Sequence, residues 1–185
     1  SRHQLAAMRH VGDVALALHR LPQPTIAKVR GVAVGAGCNL ALGCDLVVAG
    51  DTARFSEIFA KRGLSVDFGG SWLLPRRVGL HRAKELAFFA DIIDATEAHR
   101  IGLINRVVPD PRLADATAEL ARTIASKSPM TVALGKAAYW KQRDLPLADA
   151  YAHTSRVMVD NLATNDAAEG IGAFLDKRSP TWIGS

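Results

Sequence analysis

Gly31-Val-Ala-Val-Gly35-Ala36-Gly37-Cys38-Asn39-Leu40 is the point at which this 185-residue chain turns from strand into helix. Thr25 to Val34 is short, apolar and β-branched at Ile26, Val29, Val32 and Val34, so it reads as one strand with Gly31 as a kink or bulge. Gly35-Ala36-Gly37 is a small-residue turn, and Cys38 to Gly43 continues as a buried helix. Free backbone N–H groups and the positive end of a helix dipole coincide at such a junction, which suits an anion or a developing oxyanion. The same glycines equally suit a tight turn that packs closely. Two better-known glycine motifs are excluded. Leu40 stands where a dinucleotide fingerprint needs its third glycine, and no Gly-Lys-Ser/Thr of a phosphate loop is present.

Upstream, Arg2 to Arg20 reads as an amphipathic helix with Leu5, Met8, Val11, Ala15 and Leu18 at three-to-four spacing, closed by Leu21-Pro22-Gln23-Pro24. Downstream, Asp45 to Ala49 and Ala53 to Ser56 read as strands, Glu57 to Arg62 as a short helix or loop, and Trp72 to Val78 and Leu80 to Phe89 as helices. Asp94-Ala-Thr-Glu97 has the form of a capping box, with Glu97 reaching back, and Ile104 to Val108 is a last strand. Beyond it the pattern is helical: a face over Leu113 to Ile124, then Pro129 to Trp140, Pro146 to Leu162 and Ala167 to Asp176.

The loop Gly63-Leu-Ser-Val-Asp67-Phe-Gly69-Gly70-Ser71 holds the best candidate for chemistry. A carboxylate between Val66 and Phe68 is expected to have its pKa raised toward the range useful for proton transfer. The alternative is an aspartate that caps the helix at Ser71 and Trp72. The six histidines show no metal spacing and read as solvated, and no Gly-x-Ser-x-Gly elbow is present. The pairs Lys61-Arg62, Arg76-Arg77 and Lys177-Arg178 read as a solvated face or as phosphate contacts.

An apolar share of 49% is too high for disorder, and the length suits one domain with or without an appendage. Val32 to Gly50 has about the ~20 residues of a membrane span, but it contains Asn39, Asp45 and repeated glycines, so it reads as soluble core. Cys38 and Cys44, six apart, suit buried free thiols in a reducing compartment, and with no signal peptide in view the cytoplasm is expected. Aromatics are only 6% and do not alternate with basic residues, so no nucleic-acid platform is expected.

The run from Pro24 through Gly35-Ala36-Gly37 to Asp45 resembles the signature of the crotonase superfamily, the enoyl-CoA hydratase/isomerase family. The likeness continues through Ala53-Arg-Phe55, Gly69-Gly70-Ser-Trp-Leu-Leu-Pro-Arg76, Ala98 to Val108 and Glu169-Gly-Ile-Gly-Ala-Phe174-Leu-Asp-Lys177. The resemblance implies an α/β fold: a ββα spiral core over residues 1–126 and an α-helical trimerisation region over 127–185. It implies an acyl-CoA substrate, coenzyme A arriving with the substrate and no separate cofactor, and a homotrimer or hexamer. The substrate enolate would be held by backbone amides, one of them at Ala36; such a donor is typically worth ~3–4 kcal/mol. Gly37, Asn39, Phe59, Phe174 and Lys177 would line the substrate and coenzyme A surface, with Lys177 on phosphate.

Three departures shape the functional expectation. Asn39 and, counted without gaps, Phe59 occupy the positions of the hydratases' two glutamates, while Glu57 lies nearby but out of register. Asp67 coincides with an aspartate used by family isomerases, and Phe59 to Arg77 is most like the isomerases of bacterial phenylacetate breakdown. These convert a ring-epoxide thioester to an oxepin and shift enoyl-CoA double bonds. The family's β-rich N-terminal portion, with the second oxyanion amide, has no counterpart in these 185 residues, so a truncation or a partner segment is expected. The expectation is an isomerase with Asp67 as proton shuttle. A hydratase using Asp67 or Glu57, and a non-catalytic oligomerising or RNA-binding member, are the alternatives. On the leading reading, the net charge of +5 is a surface compatible with coenzyme A phosphates.

Overall fold

The computed structural model describes residues 2–185 as two compact units. The first takes the chain through Leu21 and again over Thr25–Leu120; the second takes Pro22–Pro24 and Ala121–Ser185.

In the first unit the chain winds through two sheets at once. β1 (Ile26–Val29) is followed by β2 (Val32–Val34) and α2 (Ala36–Gly43), and then β3 (Leu46–Gly50) by β4 (Arg54–Ser56). The sheets have the orders β1-β3-β6 and β2-β4-β5, where β5 is Ile93–Asp94 and β6 is Arg106–Val108. The single strand expected over 25–34 is therefore two strands in two sheets. Gly31, at φ 76°, breaks the strand rather than kinking it, and the side-chain alternation restarts beyond it: Val29 is buried and Val32 is 68% exposed.

Parallel pairing fixes how each circuit lies on the last. Ile26 pairs with Leu46 and Val32 with Arg54, so one turn takes about twenty residues. Asp45 starts the second turn by accepting bonds from the Thr25 amide at 2.7 Å and its hydroxyl at 2.9 Å. The buried centre packs Val47, Val48 and Phe55 of the strands against the helix residues Leu42, Leu73 and Leu74. α1 (Arg2–Arg20) lies outside this core with no buried residue, and Leu18 fills the space that a side chain at Gly43 would need.

α3 (Gly70–Val78), α4 (Leu80–Phe89) and α5 (Ala95–Arg100) complete the layer of helices. The capping box forms by half. Asp94 accepts from the Glu97 amide at 2.8 Å, but the Glu97 side chain pairs with Arg100 at 2.6 Å instead of reaching back. The basic pairs are partly structural as well. Lys61 pairs with Asp91, Arg76 stacks over Trp72 at 4.3 Å, and Arg178 grips Glu169 with two bonds. Two histidines depart from the solvated reading: the His19 ring meets Trp72 edge-on, and His99 Nδ1 lies 3.3 Å from the Ile104 carbonyl. Neither Cys38 nor Cys44 is in a disulfide; the first is buried and the second half-buried.

The second unit is a helical hairpin with a third helix. α6 (Leu113–Ala125) carries the unit boundary, and α7 (Pro129–Gln142), α8 (Leu147–Leu162) and α9 (Asn165–Leu175) follow. Ser128 caps α7 by accepting from the Thr131 amide, and its hydroxyl donates a hydrogen bond to buried Asp166 at 2.6 Å. Asp166 also accepts from the Ile183 and Gly184 amides, which ties residues 183–184 to α9.

Candidate active site

The site is built at the first turn of α2. Gly35 supplies the turn with φ 53° and ψ −126°, a conformation that a side chain would strain. Its amide donates to the Ser56 carbonyl at 2.8 Å, and the Phe59 ring lies where a Cβ at position 35 would touch it. The first intrahelical bond runs from the Asn39 amide to the Gly35 carbonyl at 3.0 Å. The amides of Ala36, Gly37 and Cys38 therefore precede the helical ladder, as helix geometry requires. Ala36 and Gly37 are exposed, and nothing stands within contact of a side chain built at Gly37. The other end of α2 is closed by Arg77, which donates to the carbonyls of Leu42 at 2.6 Å and Cys44 at 3.0 Å. Burial lowers the Arg77 pKa, and nearby Asp45 offsets part of that.

Beneath the turn sits a buried polar cluster. The pairing of Val34 with Ser56 brings the next residues, Gly35 and Glu57, level with each other. Glu57 is 2% exposed and Asn39 0%. The Asn39 amide nitrogen donates to the Glu57 carboxylate at 3.2 Å and to the Asp67 carbonyl at 2.8 Å. Burial pushes the Glu57 carboxyl up from its ordinary value, with Asn39 and Cys38 pulling it partly back. Burial, followed by the Glu57 charge, pushes the Cys38 thiol well above its ordinary value. The Asn39 amide oxygen Oδ1 and the other Glu57 carboxyl oxygen, Oε1, are buried without a hydrogen-bond partner.

Asp67 departs from both expectations for its side chain. It is exposed rather than enclosed by Val66 and Phe68, and α3 is capped by Gly69 rather than by a carboxylate. Its backbone is nevertheless held, because its carbonyl accepts from Asn39 and from the Gly70 amide at 3.0 Å. Gly70 packs so tightly that a Cβ there would fall 2.3 Å from Asn39 Nδ2.

Within the first unit the structure thus brings together Ala36, Gly37, Asn39, Phe59 and the Asp67 loop. Phe174, 81% exposed, and Lys177, at φ 56°, lie in the second unit at the end of α9. Counting along the sequence leaves Glu57 out of register and shows Cys38 only as a small apolar residue. Strand pairing places Glu57, since the residue after β4 must meet the turn after β2. Among the described residues no group of three or more His, Cys, Asp or Glu side chains could hold a metal ion. Nor, among them, is any helix long and apolar enough to cross a membrane.

The model of the family described as enoyl-CoA hydratase/isomerase matches residues 1–185. Human enoyl-CoA hydratase domain-containing protein 3, mitochondrial, is 43% identical over 91% of this chain and 55% of its own length. The 1,2-epoxyphenylacetyl-CoA isomerase of Escherichia coli K12 is 39% identical over 97% of this chain and 69% of its own. A crystal structure of an enoyl-CoA hydratase of Mycobacterium smegmatis superposes with a TM-score of 0.93 at 38% identity, over 98% of this chain and 71% of that one. The chain spans about half the length of the first of these relatives, and the relatives carry both hydratase and isomerase names.

Proposed function

Because this chain belongs to the enoyl-CoA hydratase/isomerase family, we propose that it acts on an acyl-CoA thioester as an isomerase with Asp67 as proton shuttle. The thioester oxygen would lie against the Ala36 amide, where negative charge grows as the α-carbon loses its proton. Asp67 would take that proton and return it to the γ-carbon, moving the double bond, or act on a ring epoxide in the same position. Gly37 and Phe59 would line the acyl end, with Asn39 buried behind them, and Phe174 and Lys177 of a neighbouring subunit would meet the adenine and phosphates of coenzyme A. The reading needs no cofactor beyond the coenzyme A carried by the substrate.

The observation that supports it best is the residue at 39. It is a fully buried amide already donating to two acceptors, and an amide cannot exchange a proton with water as a carboxylate does. The test is turnover of vinylacetyl-CoA to crotonyl-CoA, followed by the gain of enoyl absorbance. Asp67→Asn abolishes this conversion while acyl-CoA binding survives; unchanged turnover would sink the role of Asp67. One observation favours a second reading, hydration. Glu57 is a buried carboxyl with raised pKa beside the turn, as a group that activates water would be. Rapid loss of crotonyl-CoA absorbance in the wild type would establish hydration in place of isomerisation.

We place the protein in the cytoplasm, where two cysteines outside any disulfide stay reduced; fractionation that recovers it inside an organelle would overturn this.

A further inference from the structure

We infer that Glu57 and Asn39 are a positioning pair that holds the Asp67 loop against the first turn of α2, so that Glu57 controls turnover without touching substrate. The inference rests on the reading of Asp67 as the group that moves the proton.

The Asn39 amide has two N–H protons, and both are committed: one to Glu57 Oε2 at 3.2 Å, the other to the Asp67 carbonyl at 2.8 Å. Turning the amide over would set its oxygen against a carboxylate and a carbonyl, both acceptors. Glu57 therefore fixes which way the amide faces, and the amide fixes the Asp67 backbone. The surroundings leave no slack. Asn39 and Val66 together fill the space beside Gly70, and the paired strands β2 and β4 anchor Glu57 from behind. The three parts come from distant stretches of chain: the α2 turn, the end of β4 and the loop before α3. Without the pair, the loop before α3 loses its bond to the helix that carries Ala36.

Glu57→Leu removes a buried carboxylate, which is stabilising, and leaves one buried Asn39 N–H unpaired, which is destabilising, so the two effects oppose each other. Positioning is therefore read from kcat and loop exchange, with the melting temperature as the control for folding. Glu57→Leu in the purified protein should lower kcat for vinylacetyl-CoA about 10²-fold, the scale of a small misplacement at a reacting centre. KM should stay within about threefold, since the residue makes no substrate contact. The melting temperature should not fall by more than about 3 °C. Amide exchange over residues 64–70, read by mass spectrometry, should accelerate. Glu57→Gln supplies an acceptor for Asn39 and should recover both kcat and slow exchange. Should Glu57→Leu fold poorly, Glu57→Met keeps the length of the side chain and carries the same expectations.

Equal loss of kcat in Glu57→Gln and Glu57→Leu overturns the inference, because Glu57 would then be exchanging a proton itself. Unchanged kcat, or unchanged exchange over 64–70 in Glu57→Leu, overturns it as well. If Asp67→Asn keeps its turnover, the shuttle reading fails separately. The exchange measurement still decides whether the pair holds the loop.

Discussion

At the scale of single residues, Gly70 is where the site is least tolerant. A methyl group there would meet Asn39 Nδ2 at 2.3 Å, Val66 Cγ1 at 2.6 Å and Asn39 Cγ at 2.7 Å. Neither neighbour has a flexible far end that can swing away. Overpacking of this kind costs about 1–3 kcal/mol, whereas alanine in place of glycine in a helix returns at most about 1 kcal/mol. The steric effect wins, so Gly70→Ala should lower the urea midpoint of unfolding and also lower turnover; an unchanged midpoint would show that the Asn39 pocket relaxes. Some of this was legible beforehand. Asn39 and Asp67 were placed by their positions in the motif, but Glu57 was not, because counting along one chain cannot reveal which residue faces the turn across a sheet. Asp67 shows the converse limit: apolar neighbours in sequence, Val66 and Phe68, did not enclose it in space.

At the scale of elements, the end of α9 and the chain after it depend on carboxylates. Arg178 binds Glu169 through two hydrogen bonds and, with the Thr181 amide, holds the Glu169 carboxyl down at about 2. Asp166 is held below its ordinary value first by the Ser128 hydroxyl, then by the Ile183 and Gly184 amides. A carboxyl with a depressed folded pKa favours the folded form above its unfolded value and loses that contribution as it takes up a proton. For Glu169 the loss runs from about pH 4.5 down to about 2. Arg178→Met should therefore raise the carboxyl's NMR titration midpoint toward the ordinary glutamate value. It should also flatten the fall in stability across that window; an unmoved midpoint would refute the pairing. Glu57 has the opposite sign: its raised pKa means stability is lost as pH climbs from about 4.5 through its folded value. Elements were the most legible level, since apolar spacing placed α1, and proline at a helix start placed α7, within a few residues. The break at Gly31 was hidden, because two short strands with one glycine between them read as a single kinked strand.

At the scale of the whole molecule, the family and its α/β spiral were legible because glycine spacing, strand runs and turn residues recur together along the chain. Assembly is legible only through the family resemblance, because a face that meets another copy looks like any other apolar face. We propose that residues 127–185 form the oligomerising part of a homotrimer or hexamer. Supporting this, Tyr139 and Leu147 are each 74% exposed, Tyr151 68% and Val159 64%, and Leu134, Ala138, Val157 and Met158 line a groove of about 340 Å³. Light scattering of the purified protein should return three or six times the mass of one chain, and a monomer at micromolar concentration would contradict it.

The pairing of β2 with β4 also limits how this molecule can be re-engineered. Side chains alternate across a strand, so adding one residue in the Gly50-Asp51-Thr52 turn must be absorbed there as a wider loop. If it is not, β4 slips, Phe55 swaps its interior place with a neighbour, and Glu57 leaves the level of Gly35. Loop grafts at that turn must therefore preserve the phase of β4 as well as the glycine at position 50, where a side chain would collide with Asp110.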